Sequence, residues 1–268
     1  MADEHSIIFH YTNLEGFRGI VESKKLWCSD ARYLNDYMEV ESGKQWIRQL
    51  VEIFNDEFPS FRYSQKVEDA LNAFVDEETT AFITSFCLNP DLLSQWRGYG
   101  AASGGLAIGF DAELLQKATG LKIFPVCYKS DESIKVIHEA IRRAIGKLKS
   151  GTPSSRIETV LKDMIESLFV SIITSKNESF KEEAEFRLVA PVDLVKKKEG
   201  AVLYRIRGSL LVPYIALNLG DTWPHIIKAV WIGPTAHGGL TWKSVREFLY
   251  YNKLGAAELH SSTAPYRT

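Results

Sequence analysis

Three side chains able to do chemistry alternate in the segment Lys181-Glu182-Glu183-Ala184-Glu185-Phe186-Arg187-Leu188-Val189. From Glu183 onward the segment reads as a strand. Ala184, Phe186 and Leu188 point one way, and Glu183, Glu185 and Arg187 the other. A carboxylate beside a fixed positive charge is a common device for tuning a catalytic group. The face carrying them lines a polar cleft or looks into bulk water. The plainer alternative is an edge strand with a cross-strand ion pair.

Other residues invite the same question. His10 interrupts the apolar run Ile7-Ile8-Phe9-His10-Tyr11, on the face opposite Phe9 and Tyr11. It is a buried, hydrogen-bonded ring or a ligand-binding one. Asn35 and Asp36 precede a helical pattern, where capping explains one of them, and Glu39 falls in its first turn. Trp96-Arg97-Gly98-Tyr99-Gly100 sets two aromatics and an arginine before a glycine-rich turn. Flat aromatic faces beside glycines suit a planar ring and a close-approaching phosphate or ribose, or else simply a packed surface turn. The glycines do not form GxGxxG between a strand and a helix, so a dinucleotide fingerprint is excluded. No Walker loop, GxSxG or HExxH is present. The basic runs Arg142-Arg143 with Lys147 and Lys149, and Lys196-Lys197-Lys198, read as solvated faces.

The elements that must position these residues follow from periodicity and caps. Ile7 to Tyr11 is a strand, and Asn13 caps a helix bearing Leu14, Phe17, Ile20 and Val21. Leu26 to Ser29 is a second strand, with a polar loop from Asp30 to Asp36. Met38 to Phe54 and Lys66 to Glu78 read as amphipathic helices. Ala81 to Cys87, Leu106 to Phe110 and Lys122 to Tyr128 read as strands, with Asp111 capping a short helix. Ser133 to Leu148 and Ser154 to Ser175 are helices split by a Ser-Gly-Thr-Pro-Ser-Ser breaker. Ala201 to Arg207, Leu210 to Tyr214, Ile227 to Ile232 and Ala256 to His260 are strand-like, and Thr241 starts a last helix. The expectation is one α+β domain on a mixed β-sheet, with helical insertions at about 37–80 and 130–175.

Composition narrows the class. The 268 residues are 45% hydrophobic, 12% aromatic and 25% charged, with a net charge of −2. That is an ordinary globular composition, with no global field toward nucleic acid or membrane. Cys28, Cys87 and Cys127 are widely spaced and odd in number, which reads as reduced thiols in a cytoplasmic protein. The acidic Met-Ala-Asp-Glu-His start lacks a signal-peptide core. The longest apolar stretch, Leu168 to Ile173, is far too short to cross a bilayer.

Taken in order, the motifs carry a resemblance. They are His10-Tyr11-Thr12, Leu34-Asn35-Asp36 with Glu39, Trp96 with Tyr99, and Gly105 leading to Ile108-Gly109-Phe110. Then come Glu183-x-Glu185-Phe186-Arg187, Ile232-Gly233-Pro234, and Ser262 with Pro265-Tyr266-Arg267. The series resembles a bacterial family of unknown function that reads HYT, LND with a later Glu, WxxY, GxxIGF and ExE[WF]R. The opening Phe9 to Leu14, with Gly19-Ile20 and Leu26, also resembles the first strand and helix of ADP-ribosyltransferases of the DNA-modifying toxin type. Ala184-Glu185-Phe186 is similar to the setting of their catalytic glutamate.

The resemblance implies an ADP-ribosyltransferase-like fold with NAD as substrate and no metal. It implies a nucleic acid or protein acceptor, and a toxin or phage-defence setting. His10 would hold ribose, and Glu185 would stabilise the oxocarbenium ion. Tyr11, Thr12, Ser29, Asn35, Asp36, Trp96, Tyr99, Glu183 and Arg187 complete the implied site. Tyr33 and Tyr99 both remain candidates for stacking on nicotinamide. Two rivals stand beside this expectation. One is a non-catalytic nucleotide- or nucleic-acid-binding module. The other is a metal-dependent nuclease built on Glu183, Glu185 and Asp36.

Overall fold

The computed structural model describes residues 7–33, 63–76, 81–100, 104–128, 130–191 and 201–264. In chain order the described strands and α-helices are β1 (Ile7–Asn13), α1 (Leu14–Ser23), β2 (Lys25–Asp30), α2 (Ser64–Asp76), β3 (Ala81–Cys87), α3 (Leu93–Gly100), β4 (Gly105–Asp111), α4 (Ala112–Thr119) and β5 (Lys122–Pro125). They continue with α5 (Ser130–Lys147), α6 (Ser154–Ile173), β6 (Glu185–Pro191), β7 (Leu203–Arg207), β8 (Leu210–Asn218), α7 (Trp223–Ile226), β9 (Ile227–Ile232), α8 (Gly238–Tyr251) and β10 (Glu258–Ser261). The expected helix from Met38 to Phe54 lies outside the described residues.

The chain divides into two compact units. One takes Met1–Ser29, Phe82–Pro125 and Glu182–Thr268, and the other Asp30–Ala81 and Val126–Lys181. The two helical insertions expected from the sequence thus fall in the second unit. Its core is a helical one, from Val67, Leu71 and Phe74 on α2, Ile137, Ile141 and Ala144 on α5, and Ile157, Val160, Met164 and Leu168 on α6. The three- and four-residue spacing places each set on one helix face.

The first unit is α+β. Its mixed sheet runs β10-β9-β4-β1-β3-β2-β8-β7, with β6 joined to β3 and β5 to β6. β10 and β9 are parallel, while β1 with β4 and β4 with β9 are antiparallel. Local chemistry explains several boundaries. The Asn13 side chain accepts from the Gly16 amide at 2.7 Å, and Asp111 accepts from the Leu114 amide at 3.0 Å, each starting a helix at a strand end. Gly109 permits β4 to approach β1, since a Cβ there would sit 2.8 Å from a ring carbon of Phe9 and 2.9 Å from an Ile7 methyl.

The feature that matters most for function is a fork at β3. It is hydrogen-bonded to β1, β2 and β6. A strand has two edges, so three partners require that one edge be shared. Accordingly β1 and β3 meet at a single register pair, Phe9↔Cys87, whereas β1 and β4 pair along their whole length. At the far end of the sheet the β7–β8 hairpin is an edge with exposed Tyr204, Ile206, Leu210 and Leu211.

Candidate functional site

His10 sits where the ladder between β1 and β3 opens. The antiparallel register Phe9↔Cys87 would next pair Tyr11 with Ser85. Instead the His10 ring takes the Ser85 carbonyl, with Nδ1 3.0 Å from the oxygen. A carbonyl only accepts, so Nδ1 carries the proton and Nε2 is left as an acceptor. Burial lowers the His10 pKa. The Ser85 hydrogen bond opposes that shift, and the positive charge of Arg205 adds to it. The imidazole is therefore neutral at pH 7.

Ser29, near the end of β2, is buried, and its hydroxyl accepts from Arg205 Nη2 at 2.9 Å. The register explains the reach. Ser29 pairs with Tyr214 on β8, and Tyr214 with Leu203 on β7. Arg205, two residues on from Leu203, shares that face and spans β8 to reach Ser29, about two strand spacings or 10 Å. Trp27 lies on the same face and packs against Tyr214, with ring centroids 4.4 Å apart and planes tilted by 33°. Arg205 is half-buried, and its Nε is buried with no hydrogen-bond partner. Burial lowers its pKa and the Arg207 charge adds to this, while Tyr214 and Tyr99 act the other way. Tyr99 itself is exposed, at the end of α3. The sequence expectation omitted Arg205. The available signal was the alternation Arg205-x-Arg207 in an otherwise apolar strand, the same kind of signal that marked Glu185-x-Arg187.

Glu185 and Arg187 are both buried and form a two-pronged ion pair, Nε to Oε1 at 2.9 Å and Nη2 to Oε2 at 3.2 Å. The pair runs along one strand rather than across two. β6 is bonded to both β3 and β5, so the edge-strand alternative does not hold. The expected strand start at Glu183 is corrected. Glu183 ends a 3-10 turn, Glu178–Glu183, and β6 begins at Glu185. Ala184 between them has φ +41°, a left-handed conformation that costs a non-glycine residue roughly 1–3 kcal/mol. The kink takes Glu183 off the face shared by Glu185 and Arg187.

Three other expected site residues build the scaffold. The Tyr11 hydroxyl donates to the Asn89 carbonyl at 2.8 Å and accepts from the Leu92 amide at 3.0 Å. Its ring packs edge-on against Trp96, centroids 4.7 Å apart. Trp96 is 1% exposed, in a small core with Phe9, Tyr11 and Ala107. Strand alternation puts that core on the face of β1 opposite His10, so Trp96 is no platform for a ligand held by His10. The first residues of the expected glycine-rich turn, Gly98 to Gly100, are instead the last of α3, because burying Trp96 against β1 outweighs the cost of Gly98 and Gly100 in a helix. Thr12 packs over Gly16, where an added Cβ would lie 2.1 Å from the Thr12 hydroxyl. Asn35 and Asp36 lie outside the described residues, as do Pro265-Tyr266-Arg267. Tyr33 ends a 3-10 turn in the other compact unit.

The last motif forms a clamp. Asp91 accepts from Trp96 Nε1 at 2.8 Å, from the Ser262 hydroxyl, and from the Thr263 amide and hydroxyl at 3.0 and 3.1 Å. Burial alone would raise its pKa. The hydrogen bonds from Ser262, Trp96 and Thr263 outweigh that and hold it below the ordinary carboxylate value. Gly233 completes the arrangement. A Cβ there would come 2.7 Å from the Trp96 ring, and its amide donates to the Gly105 carbonyl at 2.8 Å.

Among the described residues no group of three or more His, Cys, Asp and Glu side chains is placed to hold a metal ion, and no helix is long and apolar enough to cross a membrane. Over residues 95–188 the chain matches a family described as a protein of unknown function (DUF2971). The match begins one residue before Trp96 and ends in β6, so it takes in the Glu183-x-Glu185-Phe186-Arg187 motif. Comparison with curated proteins and with solved structures gave no match.

Proposed function

We propose that the protein is a cytoplasmic ADP-ribosyltransferase that cleaves NAD and transfers ADP-ribose to nucleic acid or a protein, in a toxin or phage-defence setting. The observation that carries this reading is the fork. The strands bearing His10, Ser29 and Glu185 are far apart in sequence, yet all three are bonded to β3. In the reaction, the bond from the anomeric carbon of the ribose to the nicotinamide nitrogen breaks. Its electron pair neutralises the pyridinium ring, and positive charge builds on the anomeric carbon until the acceptor nucleophile attacks and loses its proton. Glu185 stabilises that charge, and neutral His10 accepts a hydrogen bond from a ribose hydroxyl through Nε2.

The two-pronged hold of Arg187 on Glu185 favours a second reading, a nucleotide-binding module without turnover, because the carboxylate already has a full partner. Nicotinamide release separates the two. With bacterial nucleic acid and lysate protein as acceptors, Glu185→Gln is expected to lower the rate by roughly two to three orders of magnitude while NAD binding persists. Equal background release by wild type and variant refutes the transferase and leaves the binding module.

A further inference from the structure

Among the described residues, Arg205 is a charge whose hydrogen bonds are incompletely satisfied. Its guanidinium is half-buried, one N–H is buried without a partner, and among the described residues no carboxylate pairs with it. A second cation, Arg207, follows on the same strand face. Arginines held inside a protein are ordinarily matched by carboxylates or by hydrogen bonds at every N–H. Among the described residues its anchor, Ser29, is neutral and holds Nη2 at 2.9 Å, which orients the guanidinium, while Nε beside it stays without a partner. Beside it, Trp27 rests on Tyr214 and keeps 43% of its surface exposed.

We infer that Arg205, oriented by Ser29, is the binding residue for the phosphates of a nucleoside diphosphate whose base stacks on Trp27. A planar guanidinium matches two phosphate oxygens with paired N–H groups. An exposed indole backed by a second ring offers a rigid face to a base. Ser29 belonged to the expected ligand set, but Arg205 and Trp27 did not. The inference holds for an enzyme and for a binding module alike, so it stands or falls apart from NAD cleavage.

The test is calorimetric titration of the full chain with ADP, inorganic pyrophosphate and adenosine, using wild type, Arg205→Met, Arg205→Lys and Trp27→Ala. Arg205→Met is expected to weaken ADP and pyrophosphate at least about tenfold and to leave adenosine unchanged. Arg205→Lys keeps the charge without the fork and falls between. Trp27→Ala weakens ADP and adenosine but spares pyrophosphate. Without ligand, Arg205→Met is expected to melt no lower than wild type, because it removes a poorly compensated charge. The inference is overturned if wild type binds neither phosphate ligand, or if Arg205→Met binds pyrophosphate as wild type does. It is equally overturned if the unliganded variant melts several degrees lower, which marks Arg205 as structural.

Discussion

Asp91→Ala should loosen the end of the sheet where the chain leaves β10. The carboxylate collects four hydrogen bonds, and the cost of deleting it differs among the donors. The Thr263 and Ser262 groups are near the surface, and water replaces Asp91 there at little cost. Trp96 is buried, and its Nε1 would be left without an acceptor, a penalty of about 1–3 kcal/mol. Losing the charge-assisted part of the remaining bonds brings the total to about 2–3 kcal/mol. For a unit of this size that is a drop of roughly 4–10 °C in melting temperature, read by calorimetry. The pH dependence has a definite sign. The folded Asp91 pKa lies below the ordinary value of about 3.9, so its contribution is present above about pH 4. The part that rests on the charge is lost as pH falls through the folded value. The gap between wild type and variant should be constant from pH 5 to 8 and narrow below pH 4 without vanishing, because protonated Asp91 still accepts from Trp96. A variant melting with wild type at pH 7, or a gap unchanged at pH 3, refutes the reasoning.

Gly233→Ala should lower stability by about 1–3 kcal/mol, measured as a shifted urea midpoint, because the new methyl meets the Trp96 ring at 2.7 Å with the Gly105 carbonyl at 3.1 Å behind it. Cys28 is fully buried and shares a hydrogen bond with Thr84, and burial pushes its thiol up to about 12. It should therefore react with a disulfide reagent only at the rate of unfolding; rapid labelling of Cys28 in the native protein, located by mass spectrometry, contradicts its burial.

What the sequence disclosed was local. Asn13 and Asp111 announced their helices by cap chemistry, and both caps are made. Ala81–Cys87 and Ile227–Ile232 are strands with the bounds expected of apolar β-rich runs. Glu185 and Arg187 share a face because strand alternation is a backbone property. What stayed hidden depends on partners distant in the chain. Nothing near Trp96 says that Tyr11, more than eighty residues earlier, supplies its packing surface, so the start of the expected glycine-rich turn, Gly98 to Gly100, instead ends α3. The left-handed Ala184 that parts Glu183 from Glu185 has no signature in an alanine. Arg205 matters only because β8 brings it opposite Ser29, across 176 residues of sequence.

The interleaving of the two units bears on how the chain is made. On a ribosome β4 finds β1 soon after it emerges, since Ile108 pairs with His10, but its other edge waits for Val230 on β9. At about 5–20 residues per second that interval lasts on the order of 6–25 s. During it an apolar strand, Leu106 to Phe110, stands with an open edge while α5 and α6 are synthesised. α5 and α6 pack on each other across a short connection, with α2 already made, whereas the sheet needs closures over more than a hundred residues. The helical unit therefore folds in the time the sheet spends incomplete, and the nascent chain is most exposed to mispairing after β4 and before β9.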